Sequence, residues 1–126
     1  MILSAKLLNS DASLNSFRYV SSTDFFPGED KTLKFQIFDQ EEQIRYIPGS
    51  SAIVTFSFVK TDGTDLDKNA SLNADDRSLA TISLSQTETE DLVGGNVMIS
   101  IDENGDGSVI YKGIAKYVLR RNADDC

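Results

Sequence analysis

Alternation of apolar and polar residues at a spacing of two recurs along this chain, while helical spacing is almost absent. In the run Thr32 to Asp39, Leu33, Phe35 and Ile37 point one way and Lys34 and Gln36 the other, as in an extended strand with one buried face. Val54, Phe56 and Phe58 alternate in the same way with Thr55 and Ser57, and Ala80, Ile82 and Leu84 with Thr81 and Ser83. A fourth run sets Val97, Ile99 and Ile101 against Met98 and Ser100. Further strands are expected at Ile2–Leu8, Phe17–Ser22 and Ile44–Ile47, with a long final strand from Ser108 to Arg120. The total is about seven or eight, as in a two-sheet β-sandwich, with a barrel of similar strand number as the alternative. A chain of 126 residues holds one hydrophobic core and not two. The expectation is therefore one all-β domain over residues 1–126, with 1–22 as an N-terminal strand or arm that contacts a partner and 122–126 as a flexible acidic tail.

One stretch departs from the strand pattern. Ser85-Gln86-Thr87-Glu88 has capping-box spacing, in which a hydroxyl and a carboxylate satisfy the first free amides of a helix reciprocally. It predicts a short helix over Gln86–Leu92, stopped by Gly94-Gly95. Thr61-Asp62-Gly63-Thr64 and Pro27-Gly28 read as turns, the latter of type II. Most acidic residues, among them Asp62, Asp65, Asp67, Asp75 and Asp76, read as loop residues.

Charge and residue types exclude several functions. Twenty acidic against 12 basic side chains give a formal charge of −8, which opposes the phosphate neutralisation that nucleic acids and anionic membranes require. No segment approaches the ~20 apolar residues of a membrane-spanning helix. The N-terminus has no signal-peptide pattern and the single cysteine, Cys126, has no intrachain partner, so a cytosolic origin is expected. The chain contains no histidine, which removes the usual general base and the commonest metal ligand. No nucleophile elbow, phosphate loop or dinucleotide fingerprint is present. Neither a catalytic set nor a cofactor or metal site is expected. Asp102, Asn104, Asp106 and Gly107 match the first half of a calcium loop, but its twelfth position is Gly113 rather than a bidentate glutamate, so a hairpin turn is the simpler reading.

Two sets of residues are candidates for binding. In the final strand, Val109, Tyr111, Ala115, Tyr117 and Leu119 share one face, and Ile110, Lys112, Ile114, Lys116, Val118 and Arg120 the other. Three β-branched apolar residues on that second face suit either a covered central strand, with cationic stems lying over it, or a surface that packs on another subunit. Phe25 and Phe26, before Pro27-Gly28, read as a cap on the end of the sandwich. Together with Tyr46 they form the alternative, an aromatic platform for sugar or a cell surface.

The order of these features resembles a known family. Phe26-Pro27-Gly28-Glu29-Asp30-Lys31-Thr32-Leu33-Lys34-Phe35-Gln36-Ile37-Phe38-Asp39 precedes Tyr46-Ile47-Pro48-Gly49 and Ala52-Ile53-Val54-Thr55-Phe56-Ser57-Phe58. Lys60-Thr61-Asp62-Gly63-Thr64, the Ser85 to Leu92 helix and Gly94-Gly95-Asn96-Val97 follow. Over about residues 20 to 120 this is similar to the immunoglobulin-like β-sandwich domains of tailed-bacteriophage virion proteins, of the baseplate upper-protein N-terminal type and related fibre-attachment or head-decoration modules. The resemblance implies an immunoglobulin-like fold in a non-enzymatic structural component of a virion. Such a component is made in the host cytoplasm and contacts other virion proteins in a symmetric, multi-copy assembly, with no nucleic acid and no membrane as partner. A tail or baseplate adaptor, a fibre-docking protein and a capsid decoration protein all fit, and a free-standing carbohydrate- or cell-surface-binding module is the alternative.

Overall fold

The computed structural model describes residues 2–8, 19–20, 22–39, 41 and 43–121, with the backbone alone at 19, 20, 22, 94, 95 and 116–121. The elements are β1 (Leu3–Leu8), β2 (Tyr19–Val20), β3 (Ser22–Phe25), β4 (Lys31–Asp39), β5 (Ile44–Arg45), β6 (Ile53–Val59), β7 (Asp65–Asn69), β8 (Ser71–Leu72), β9 (Leu79–Leu84), α1 (Gln86–Glu90), β10 (Gly94–Asp102) and β11 (Ile110–Arg121). The fold is all-β with one short helix.

The strands hydrogen-bond in one continuous order, β7-β6-β10-β11-β1-β4-β9-β8, with β2, β3 and β5 attached to β1, β11 and β4. Only Ala70 separates the two outermost strands of that order, β7 and β8, and its amide donates to Val54 O at 2.8 Å. One bent segment thus runs from one margin of the sheet to the other and rolls it nearly closed. The two layers expected of a sandwich are two halves of this rolled sheet. They meet where Phe35 of β4 stacks on Phe56 of β6, ring centroids 4.4 Å apart.

Every inward position of the four alternating runs is in the core: Leu33, Phe35, Ile37, Val54, Phe56, Phe58, Ala80, Ile82, Leu84, Val97, Ile99 and Ile101. Leu3, Ala5 and Leu7 join them from β1, a central strand parallel to β11 and antiparallel to β4. Residues 3–8 of the expected N-terminal arm are therefore integral to the sheet, while 122–126 lie outside the described residues. Gln36, an outward position by alternation, is fully buried all the same. Its amide donates to Ser78 Oγ, and Ser78 Oγ donates to Asp76 Oδ1 at 2.5 Å. Gln36 Oε1 has no hydrogen-bond partner among the described residues.

The local signals behave as their chemistry requires. Gly28 takes φ +89 between Phe26 and Glu29, whose amide donates back to Phe26 O, and Gly63 takes φ +86 in its turn. Ser85 Oγ accepts from the Glu88 amide and Glu88 Oε1 accepts from the Ser85 amide, a complete capping box. The helix stops at Glu90, earlier than the sequence predicts, because Leu92 must turn into the core, where it forms a bridge with Lys60. Gly94-Gly95 does not terminate the helix; it opens β10, opposite Arg120 and Leu119.

Glu88 also accepts from Lys68 Nζ at 2.8 and 2.9 Å. Partial burial opposes ionisation of this carboxylate. The Lys68 ammonium and the Ser85 amide outweigh that and hold its pKa below the ordinary value of 4.5. A depressed acid stabilises the fold above its unfolded pKa and loses that contribution as pH falls through the folded value. Glu88→Gln is expected to cost about 1 kcal/mol at neutral pH. In urea titrations the gap between variant and wild type should close as pH falls below the carboxylate range. A gap that stays constant with pH would remove the role assigned to the charge.

Candidate functional site

The outer face of β7, β6, β10 and β11 is set by its register. Met98 lies between Ser57 and Ile114, Ser100 between Thr55 and Lys112, and Asp102 between Ile53 and Ile110. Because side chains alternate across a strand, these residues share one side of the sheet. Ile110, Ile114 and Met98 are 50%, 52% and 47% exposed, and Ile53 is 41%. Ile2, 50% exposed, immediately precedes the Leu3–Gly113 pair and so adds its side chain beyond β11. The apolar face thus draws on β6, β10, β11 and the start of the chain.

Polar groups frame it. Lys112 is exposed on β11, and on the far side β7 presents Asp65, Asp67 and Asn69. Asp67 accepts from Ser57 Oγ at 2.6 Å, and Thr55 Oγ1 donates to Asn69 Oδ1 at 3.0 Å. Between the two sides lies a shallow depression of about 390 Å³, bounded by Thr55, Ser57, Asp65, Asp67, Met98, Ser100 and Lys112.

Of the predicted final-strand face, Ile110, Lys112 and Ile114 lie together and exposed. The side chains of Lys116, Val118 and Arg120 are outside the described residues. Lys116 lies within, and Val118 and Arg120 follow, an irregularity in which Ala115-Lys116-Tyr117 are opposite the single residue Val97 across the ladder. Met98, Ile53 and Ile2 belong to the same face and are not among the predicted residues. Met98 does read as outward in the alternation, but strand order, which brings it beside Ile114, is invisible to local pattern.

The aromatic set is dispersed. Phe25 is fully buried in the core and unavailable to a ligand, whereas Phe26 is 43% exposed. Tyr46 is half-buried and its amide donates to Ile37 O near the far end of β4. Phe26 lies before the first residue of β4, so the two are separated by roughly 20 Å of strand. Tyr46 instead serves the structure. Its hydroxyl donates to Glu103 Oε2 at 2.5 Å, and its ring meets that of Tyr111 edge-on. Burial, then the hydrogen bond to the Glu103 carboxylate and its charge, push the phenol well above its ordinary pKa. Glu103 also accepts from the Gly49 amide at 2.7 Å, and Arg77 donates to the carbonyls of Pro48 and Gly49. The loop over residues 46–49 is therefore clamped from both sides.

The calcium-like segment is satisfied internally. Asp102 accepts from the Gly107 amide, Asp106 from the Ser108 amide and hydroxyl, and the Asn104 amide group donates to Ser108. Among the described residues, no group of three or more histidine, cysteine or acidic side chains is placed to hold a metal ion. Nor is any helix among them long and apolar enough to cross a membrane.

No family model matches this sequence, and no curated protein matches it significantly.

Proposed function

We propose that the protein is a non-enzymatic docking domain of a bacteriophage virion, seated on a multi-copy assembly through the outer face of β10 and β11. The observation that carries the reading is the exposure of Met98 and Ile114 as cross-strand neighbours, with exposed Ile110 on the same side of the sheet beyond Lys112. Single exposed apolar residues are ordinary, but a contiguous group on a regular face marks a contact surface. The sequence resemblance to phage virion domains supplies the setting, and a tail or baseplate adaptor, a fibre-docking protein and a capsid decoration protein are its three forms. The acidic charge of −8 favours protein partners over nucleic acid or membrane. Incorporation of the protein into particles is the test. Ile114→Glu should leave the domain folded, its melting temperature moved by no more than a few degrees, because surface substitutions of this kind change stability by about 0.5 kcal/mol. It should cut incorporation sharply. Wild-type incorporation of the variant would reject this face, and unfolding of the monomer would show that the face is covered within the chain.

The carbohydrate-binding reading has lost its platform, since Phe25 is inside the core and Phe26 stands apart from Tyr46. Binding on a glycan array by the wild type, and its loss in Phe26→Ala, would restore it.

A further inference from the structure

The hairpin that follows β10 brings together the two groups of a self-contained reaction. Asn104 is the only asparagine in the chain followed directly by glycine. Its side-chain amide carbon and the main-chain nitrogen of Gly105 can close a five-membered ring, and residue 105 has no side chain to obstruct that closure. Both residues are exposed to water. Position 105 is not free to carry anything else, because it takes φ +73 and a Cβ there would lie 2.6 Å from Ser51 O. The packing of the turn thus demands the glycine that makes Asn104 reactive.

The same turn restrains the reaction. Gly105 N donates to Asp102 O at 3.2 Å, closing a β-turn over Asp102–Gly105. Asn104 Nδ2 donates to Ser108 Oγ at 3.1 Å. Nucleophile and electrophile are therefore held by different partners, and both must be released before they meet. Both bonds are exposed, so local opening costs little.

We infer that Asn104 is a site of spontaneous deamidation, with water as the co-reactant and the Ser108 hydroxyl as its restraint. The Gly105 nitrogen gives up its proton to the solvent and bonds to Asn104 Cγ. The Cγ–Nδ2 bond breaks, and the side-chain nitrogen takes a proton from the solvent and leaves as ammonia. One water then opens the cyclic imide. Cleavage at Cγ gives aspartate. Cleavage at the main-chain carbonyl gives isoaspartate, whose main chain runs through the former side chain and is one carbon longer. Nothing is oxidised or reduced. Aspartate loses the N–H that Ser108 accepted and sets an anion beside Asp106, which already accepts from the Ser108 amide and hydroxyl. Like charges around one hydroxyl loosen the turn. Isoaspartate displaces Gly105 from its seat against Ser51, so the change reaches the margin of the outer face, where Asp102 lies between Ile53 and Ile110.

Peptide mass spectrometry of the purified full chain, held for weeks in warm, mildly alkaline buffer, tests the site. The peptide carrying Asn104 should gain about 1 Da, and enzymatic methylation should detect isoaspartate in it. Asn69 and Asn73, each followed by alanine, should stay unchanged over the same period. Ser108→Ala should raise the rate at Asn104 about two- to tenfold, the span of one hydrogen bond. Ser108→Thr keeps the hydroxyl and should return the rate to that of the wild type. If thermal melting shows Ser108→Ala to be unfolded, the wild type with and without urea supplies the comparison, and unfolding should accelerate Asn104 by at least the same factor. Deamidation at Asn104 no faster than at Asn69 and Asn73 overturns the site. A rate in Ser108→Ala equal to that of the wild type, an acceleration that Ser108→Thr shares, or equal rates with and without urea overturns the restraint.

Discussion

Gly113→Ala is expected to destabilise the domain by about 3 kcal/mol or more, the upper range of overpacking. A Cβ at this position would lie 1.8 Å from Leu3 O and 2.8 Å from Leu3 Cβ. Gly113 stands in β11 directly opposite Leu3, at the start of the parallel pairing that holds β1 in the centre of the sheet. Relief of the clash requires β1 and β11 to move apart, with loss of ladder hydrogen bonds and of the packing of fully buried Leu3. The melting temperature should fall by roughly 10 °C or more for a chain of this size. Gly63→Ala is the matched comparison. It has open space around the new methyl but a φ of +86, so it should cost only about 1–2 kcal/mol of backbone strain. Equal melting temperatures for the two variants would show that the close approach of β1 is not what position 113 demands.

Phe56→Ala should have an effect of similar or greater size, about 3–5 kcal/mol. Phe56 is fully buried and stacks on Phe35 with an interplanar angle of 19°. One ring belongs to β6 and the other to β4, so truncation empties the centre of the contact between the two halves of the sheet. Chemical denaturation of Phe35→Leu, Phe56→Leu and the double variant then isolates the stacking itself, expected at about 0.5–1.5 kcal/mol beyond the area lost. A cost below about 1 kcal/mol for Phe56→Ala would mean that the halves do not depend on this contact.

The legible part of the fold was the part dictated by local periodicity. Alternation in 32–39, 54–58, 80–84 and 97–101 assigns each inward residue correctly, since burial on one face of a strand is a local property of the sequence. The capping box at Ser85–Glu88 was equally visible. β7 was not. Asp65, Asp67 and Asn69 read as an acidic loop, whereas they are the outward positions of a marginal strand whose inward residues are Leu66 and Lys68. Acidic side chains are a common way to shield such a margin, and they erase the apolar signal by which strands are read. Gly94-Gly95 departs from its local signal for a related reason. Glycine breaks a helix as an isolated segment, yet here the partner strand β11 supplies the ladder that holds the pair extended.

The candidate face was half legible. Ile110, Lys112 and Ile114 are adjacent in one strand, so alternation was enough to group them. Met98, Ile53 and Ile2 reach the same face through pairings between residues far apart in the chain, which no local rule encodes. Conversely, Phe25 and Phe26 looked alike as letters, but consecutive residues at a strand end point to opposite sides, and only one of them could be outside.

The single-residue link at Ala70 has a consequence for how tightly these molecules can be crowded. That link keeps both outer strands short, five residues in β7 and two in β8, and β7 carries Asp65 and Asp67 on its outward face, so a neighbouring chain meets a short, charged row there. Copies concentrated side by side are thereby protected from templated, fibril-like growth. Ordered association then falls mainly to side chains on the broad surfaces, where charge favours some partners and rejects others.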